Sequence, residues 1–367
     1  MLRFIRTEFA LILGFVLTAL AYGPLAPLFG DTFTPPVFMA LFVVLFCTML
    51  LLSFSAVRHA DHLAQLLGEP YGTLILTIAV ITIEVALISA IMLSGQAQPT
   101  LARDTMMAVL MIVMNGVVGL VLLVGAFKHT EQEFNLRGAS AFLTVLVTLA
   151  TMTLILPNFT ESTPDPSLSR IQSEWFAFIT IVLYVTFLAI QTVRHRSYFV
   201  QPGDEDGQGG HHPMAGGGTV PYHAVLLILT LVPAVLLSKK LAVLVDFGIG
   251  TWQLPAALGG IIIAALVLAP EALAALHAAR QNYLQRAVNI CLGSALATIG
   301  LTVPAVLAIS IFYDKEIQLG IGNTDMTLLL LTMFVSALTF GGTRTNMLQG
   351  AVHLVIFVVY IVLIFNP

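Results

Sequence analysis

The stretch TIAVITIEVALISA, residues 77–90, is apolar from end to end apart from three hydroxyl side chains and one acid, Glu84. At an offset of 187 positions, AALVLAPEALAALH, residues 264–277, repeats the arrangement around Glu271. An ionised residue at the centre of a bilayer-spanning helix costs roughly 2.5–3.5 kcal/mol on insertion scales. Each acid is alone in its apolar run and sits near the middle of it. One such acid could be a protonated packing group, but two at matched positions point to a job for carboxylates inside a membrane.

The rest of the chain makes a membrane the right solvent. Of the 367 residues, 58% are hydrophobic and 9% charged, against about 25% charged in an average soluble domain. Apolar runs of about 20 residues recur along the whole length, the signature of transmembrane helices. The expected fold is an all-α polytopic membrane protein of eleven spans, at 9–29, 36–55, 71–95, 105–127, 138–157, 173–193, 222–243, 256–280, 287–313, 325–341 and 350–366. The first run follows Arg3 and Arg6 but exceeds a signal-peptide h-region of about 7–15 residues, so it reads as a retained helix. A net charge of −4 argues against a nucleic-acid partner. The two cysteines, Cys47 and Cys291, form no CxxC and read as small apolar packers.

One connection differs in kind. RHRSYFVQPGDEDGQGGHHPMAGGGTVPYH, residues 194–223, is rich in Gly and Pro with three clustered acids and a His pair, and cannot bury an apolar face. His211 and His212 beside Asp204, Glu205 and Asp206 read as a solvated spacer, with a cytoplasmic sensor of Ca²⁺ or pH as the alternative. The expected organisation is an extra N-terminal helix (1–35), a five-helix repeat (36–193), a flexible cytoplasmic linker (194–221) and a second five-helix repeat (222–367). Gly72 and Gly259, and Val80 and Val267, join the glutamates at the 187-residue offset. An odd number of helices per half inverts the second half in the membrane. Secondary transporters with this architecture bind their substrates near the midplane, at the repeat interface.

Ten Lys and Arg residues (Arg3, Arg6, Arg58, Lys128, Arg137, Arg194, Arg196, Arg280, Arg286, Arg344) fall on the side of the N-terminus and five (Arg103, Arg170, Lys239, Lys240, Lys315) on the other. Positively charged segments stay inside, so the N-terminus is expected in the cytoplasm and the C-terminus outside, in a bacterial inner membrane.

If both glutamates face one cavity, two like charges in a poor dielectric cannot both stay ionised, and protons bind near neutral pH. A cation stabilises both carboxylates and expels the protons, and this competition for one set of oxygens is the core of an antiporter. Two carboxylates balance a divalent charge, and oxygen ligands suit Ca²⁺. Thr77 and Thr82 accompany Glu84, while Pro270, directly before Glu271, lacks an N–H and frees a carbonyl. Asn115 in NGVVG, with Gly116 and Gly119, and Ser294 and Thr298 in LGSALATIG, with Gly293 and Gly300, are supporting candidates on the adjacent helices. The glycines, and for some of these residues close helix packing alone, are the plainer reading.

Two longer passages, RHADHLAQLLGEPYGTLILTIAVITIEVALISAIM (58–92) and LVLAPEALAALHAARQNYLQRAVNICLGSALATIGLTVP (266–304), resemble the calcium/cation antiporter superfamily. They look most like bacterial calcium/proton antiporters of the ChaA type, in the cation/proton-exchanger branch. The resemblance spans essentially the whole chain. It implies exchange of cytoplasmic Ca²⁺, in some members Na⁺ or K⁺, for external protons. The family's paired acids map onto Glu84 and Glu271, and its Gly-Ser onto Gly293 and Ser294. Many members carry Asn three residues before each acid, whereas this chain has Ile81 and Leu268, so its ion shell must draw on hydroxyls and backbone carbonyls. No cofactor is implied: Ca²⁺ and H⁺ are cargo, and the partners are inorganic cations, protons and the lipid bilayer. An enzyme is disfavoured because HTEQE (129–133) lacks the second His of a zinc protease motif. A channel would not need the acid pair, and a monovalent cation/proton antiporter on the same scaffold is the main rival.

Overall fold

A computed structural model of the chain describes residues 7–30, 33–67, 79, 81–86, 88, 89, 92, 99–202, 219–313 and 315–366. Among these the protein is helical almost throughout, with ten helices: α1 (Phe9–Tyr22), α2 (Pro35–Leu67), α3 (Leu101–His129), α4 (Leu136–Phe159), α5 (Arg170–Arg194), α6 (Val220–Trp252), α7 (Ala257–Arg280), α8 (Leu284–Tyr313), α9 (Asn323–Thr339) and α10 (Met347–Phe365). Helical residues between 79 and 92 form a further piece. Eight helices are long and apolar enough to cross a membrane, while α1 and α9 are shorter apolar helices. Most of the expected span at 71–95 and the linker at 203–218, with His211 and His212, lie outside the described residues.

Helix ends follow local chemistry. α5 opens on a capping box in which Ser169 and Gln172 satisfy each other's backbone N–H groups, and α10 on the same device from Asn346 and Gln349. α1 stops at Tyr22 before Gly23 and Pro24, and the expected first span continues only as a 3₁₀ turn, Ala26–Phe29. α2 and α6 each run 33 residues, about 50 Å at 1.5 Å per residue against a hydrocarbon core of about 30 Å. Hydropathy marks only their apolar windows, so the expected ends at 55 and 243 fall short. Arg58 therefore lies within α2. Lys239 and Lys240 lie within α6, where the Lys240 ammonium sits over the rings of Tyr22 and Phe29.

The chain divides into two compact units, residues 1–98 with 212–270 and residues 99–211 with 271–367. In the first, α2 and α6 pack antiparallel. Near the start of α2, Phe38 meets Trp252 at the end of α6, edge to face at 4.8 Å. Near the end of α2, His59 meets His223 at the start of α6. α1 packs along both helices, and the Tyr22 hydroxyl donates to the Leu236 carbonyl at 2.8 Å.

The second unit is built around α3, whose residues 105–111 are all buried. Gly119 of α3 and Gly350 of α10 form a close crossing, since a Cβ on Gly350 would lie 2.9 Å from the Gly119 carbonyl oxygen. Loops gather at its two ends. At one, Gln132–Glu133 (β1) pairs antiparallel with Arg344–Thr345 (β2), and Lys128 and Gln132 donate to the carbonyls of Arg280 and Ala279 at 2.9 Å each. Glu133 and Glu131 hold the Arg344 guanidinium there, raising its pKa chiefly through the hydrogen bonds that it donates to Glu133. At the other, Arg103 donates to the Gly320 carbonyl at 2.6 Å and Asn158 to that of Ile321 at 2.9 Å.

Candidate functional site

Glu84 lies in the first unit on helical backbone, with 1% of its surface exposed. Ile81, Ile83 and Ile88 around it are buried too. Thr82 is two residues, or 200°, away around the helix and is exposed. Thr77 lies outside the described residues.

Glu271 lies in the second unit, half-buried in α7, directly after Pro270. The helix is continuous through Pro270. Proline has no N–H for the carbonyl four residues back, which is that of Leu266, so this carbonyl has no N–H from position 270. Leu268, in the place of the superfamily's Asn, is buried. Across from Glu271, the Ser294 hydroxyl of α8 donates to its Oε2. A hydroxyl given to a carboxylate favours its ionised form. Thr298 is one turn further along α8, on the same face, and is buried. It opens a π-helical turn, Thr298–Thr302. Pro304 follows within two residues and cannot donate to the Gly300 carbonyl, which fits a locally widened helix.

α3 carries a matching π-turn, Ile112–Val117, with Asn115 inside it. Asn115 is fully buried and wholly engaged. Its Nδ2 donates to Thr332 Oγ1 of α9 at 2.8 Å, and its Oδ1 lies 3.1 Å from His353 Nδ1 of α10. The other nitrogen of His353, Nε2, lies 3.0 Å from Thr339 Oγ1. Since the amide oxygen only accepts, His353 carries its proton on Nδ1 and accepts from Thr339. His353 also reaches the backbone of Met114, where the π-turn disturbs the regular ladder. Asn115 thus joins three helices of the second unit.

Of the sequence-derived candidates, then, Ser294 and Glu271 come together, Thr298 lies on the same face of α8 as Ser294, and Asn115 belongs to a separate buried network. His353 was missed by the sequence reading. Its signal was available, a lone imidazole in the apolar run of the last span.

A family profile described as sodium/calcium exchanger protein matches residues 37–193 and 222–366. The Escherichia coli sodium-potassium/proton antiporter ChaA is 39% identical over 340 residues, which is 92% of each chain. Among solved structures, the Ca²⁺/H⁺ antiporter YfkE matches over 100% of both chains with a TM-score of 0.70 at 19% identity. The H⁺/Ca²⁺ exchanger CAX matches over 98% of this chain and 89% of its own, with a TM-score of 0.67 at 14% identity.

Proposed function

This chain belongs to the sodium/calcium exchanger protein family, a family of multi-pass membrane transporters, and from that premise we propose that it is a secondary antiporter exchanging cytoplasmic Ca²⁺ for external protons. Glu84 and Glu271 bind cation and protons in competition, and Ser294 steadies Glu271 in its ionised form. The observation that carries the reading is the burial of the Glu84 carboxylate, 1% exposed amid isoleucines. A carboxylate so placed is costly in its ionised form unless a cation balances it, and a proton neutralises it otherwise. Two carboxylates per ion suit a divalent cation.

The arrangement we assign is one N-terminal helix, then five, a linker (194–221), then five more in inverted topology. It is supported by the two 33-residue helices that open the halves and by the π-turns in the helices that follow the glutamates. The N-terminus is cytoplasmic and the C-terminus outside, in a bacterial inner membrane. This orientation rests on the ten Lys and Arg residues on the side of the N-terminus against five on the other.

A second reading, monovalent cation/proton antiport, is favoured by one observation: the relative at 39% identity is a sodium-potassium/proton antiporter. Everted membrane vesicles holding an acid interior, read with a proton-sensitive dye, separate the two. Proton release at the lowest concentration of CaCl₂ is expected. Release by NaCl or KCl with none by CaCl₂ establishes the rival, and release by none of the three sinks both.

A further inference from the structure

One end of the first unit holds a cluster of titratable side chains in which Glu8, His59 and His223 are buried and Arg58 and Tyr222 reach the surface. Glu8, just ahead of α1, is 1% exposed; it pairs with Arg58 at 2.7 Å and lies 3.1 Å from His59 Nε2 and 3.5 Å from the Tyr222 hydroxyl. His59, also 1% exposed, points its Nδ1 at the Nδ1 of His223, 3.1 Å away. His62 stacks on the His223 ring with centroids 4.5 Å apart. The remaining nitrogen of His223, Nε2, is buried and has no hydrogen-bond partner among the described residues, in a residue only 5% exposed.

The contacts assign the protons. Arg58 Nη2 also lies 3.3 Å from His59 Nε2, but its two N–H groups go to Glu8 Oε2 at 2.7 Å and Ser55 Oγ at 3.3 Å. The Glu8 carboxylate accepts from His59 at 3.1 Å, so His59 carries its proton on Nε2. Its Nδ1 is then an acceptor, and His223 must donate from Nδ1. That leaves His223 Nε2 as a bare, basic lone pair inside the protein. We propose that His223, with Glu8, Arg58 and His59, forms a proton-binding site separate from the two glutamates, and that its occupancy sets whether the ends of α1, α2 and α6 are held together.

The charge balance gives the direction. In the arrangement described, Glu8 is balanced by Arg58, and His59 and His223 each carry a single proton. The groups that face His223 are Glu8 from the segment before α1, Arg58, His59 and His62 from α2, and Tyr222 from α6 itself. Asp61, on α2, is half-buried and engaged. A proton on Nε2 therefore creates an imidazolium close to the Arg58 guanidinium and two further imidazoles, with the nearest carboxylate already paired. Desolvation and like charge both oppose it, and the cation is relieved only when water enters and the helix ends part. Histidine is the side chain whose ordinary titration range makes this a response to physiological pH. Exchange should then fall on the acid side for a reason unrelated to competition at Glu84 and Glu271. This last step rests on the antiport reading; the proton site does not.

The test uses the full chain in lipid nanodiscs, without transported cation, labelled with ¹⁵N-histidine. The His223 signals are identified by their loss in His223→Asn, which keeps an atom in place of Nδ1 and lacks Nε2. At about pH 8.5 they should report a proton on Nδ1 and a bare Nε2, and at about pH 5.5 both nitrogens protonated. A proton on Nε2 at the higher pH, or a ring still neutral at the lower, overturns the proposal. In vesicles, His223→Asn should shift the acid limb of exchange by at least about half a pH unit toward lower pH, with the rate at about pH 8.5 within twofold of the parent. A superimposable profile in a correctly inserted protein overturns the regulatory step. Glu84→Gln and Glu271→Gln should abolish exchange yet leave the His223 titration unchanged, so failure of the antiport reading stays distinguishable from failure of this one. If His223→Asn does not fold, His62→Asn identifies the stacked ring through its effect on the same signals, and the parent spectra still decide.

Discussion

If Glu271 binds cation as proposed, its pairing with Ser294 is where a single atom changes the chemistry most. Ser294→Ala removes one hydroxyl and leaves the carboxylate with one donor fewer. A hydrogen bond to a charged group contributes about 1.5–3 kcal/mol. The ionised form that binds cation weakens, and the apparent KM for the cation should rise about tenfold or more with membrane insertion unchanged. Dye-quenching titrations in vesicles measure this, and an unaltered KM would remove Ser294 from the site. Glu84→Gln and Glu271→Gln each leave one charge, which cannot balance a divalent ion. Both should eliminate Ca²⁺/H⁺ exchange in protein that still reaches the membrane, and parent-like activity in either would discard the mechanism.

Among the elements, packing and function separate cleanly at the glycines. Gly350→Ala in α10 places a methyl 2.9 Å from both the Gly119 oxygen and the Leu123 nitrogen, backbone atoms that cannot give way. Overpacking of this kind costs about 1–3 kcal/mol, so the thermal midpoint of the purified protein should drop by several degrees. Gly293→Ala meets only the Phe142 ring at 3.7 Å, an ordinary contact, and should leave the midpoint unchanged or higher, since Ala favours helix by up to about 1 kcal/mol over Gly. Equal midpoints for the two variants would contradict the close crossing of α3 and α10. The π-turns belong to this scale as well. Nothing in MNGVV announces one, because a π-turn costs backbone hydrogen bonds that only a distant partner such as His353 compensates. ATIGLTVP offers a partial signal, since Pro304 withholds a donor from the preceding turn.

For the whole molecule, the antiport reading makes a statement about pH. At low pH protons occupy Glu84 and Glu271 and exclude the cation. As pH rises the competitor is withdrawn, so the apparent KM for Ca²⁺ should fall and then level off when the free site is fully ionised. The fall approaches about a hundredfold per pH unit if two protons leave per ion and about tenfold if one leaves. Vesicle assays across about pH 6.5 to 9.5 measure it, and a KM independent of pH would require separate proton and cation sites. In His223→Asn this KM dependence should persist, because it arises at the glutamates.

The sequence by itself determined the membrane, the number and order of most helices, and the two acids, because each is written in local composition: apolar windows, capping residues, and a lone carboxylate in a run of isoleucine, valine and alanine. It could not determine where helices end once they outrun the apolar window, as beyond 55 in α2, which runs to Leu67, and beyond 243 in α6, which runs to Trp252. Nor could it say which polar residues are spoken for. Asn115 reads in the sequence as a supporting residue beside the acids, and the structure engages its amide with Thr332 and His353, 217 and 238 residues away. Nothing local joins Glu8 and His59 to His223, which lies 164 positions beyond His59. A buried polar atom must find a partner, and which partner it finds depends on packing between segments far apart in the chain. Only the tertiary structure decides that, and it decided it for Asn115, His353 and the buried lone pair of His223.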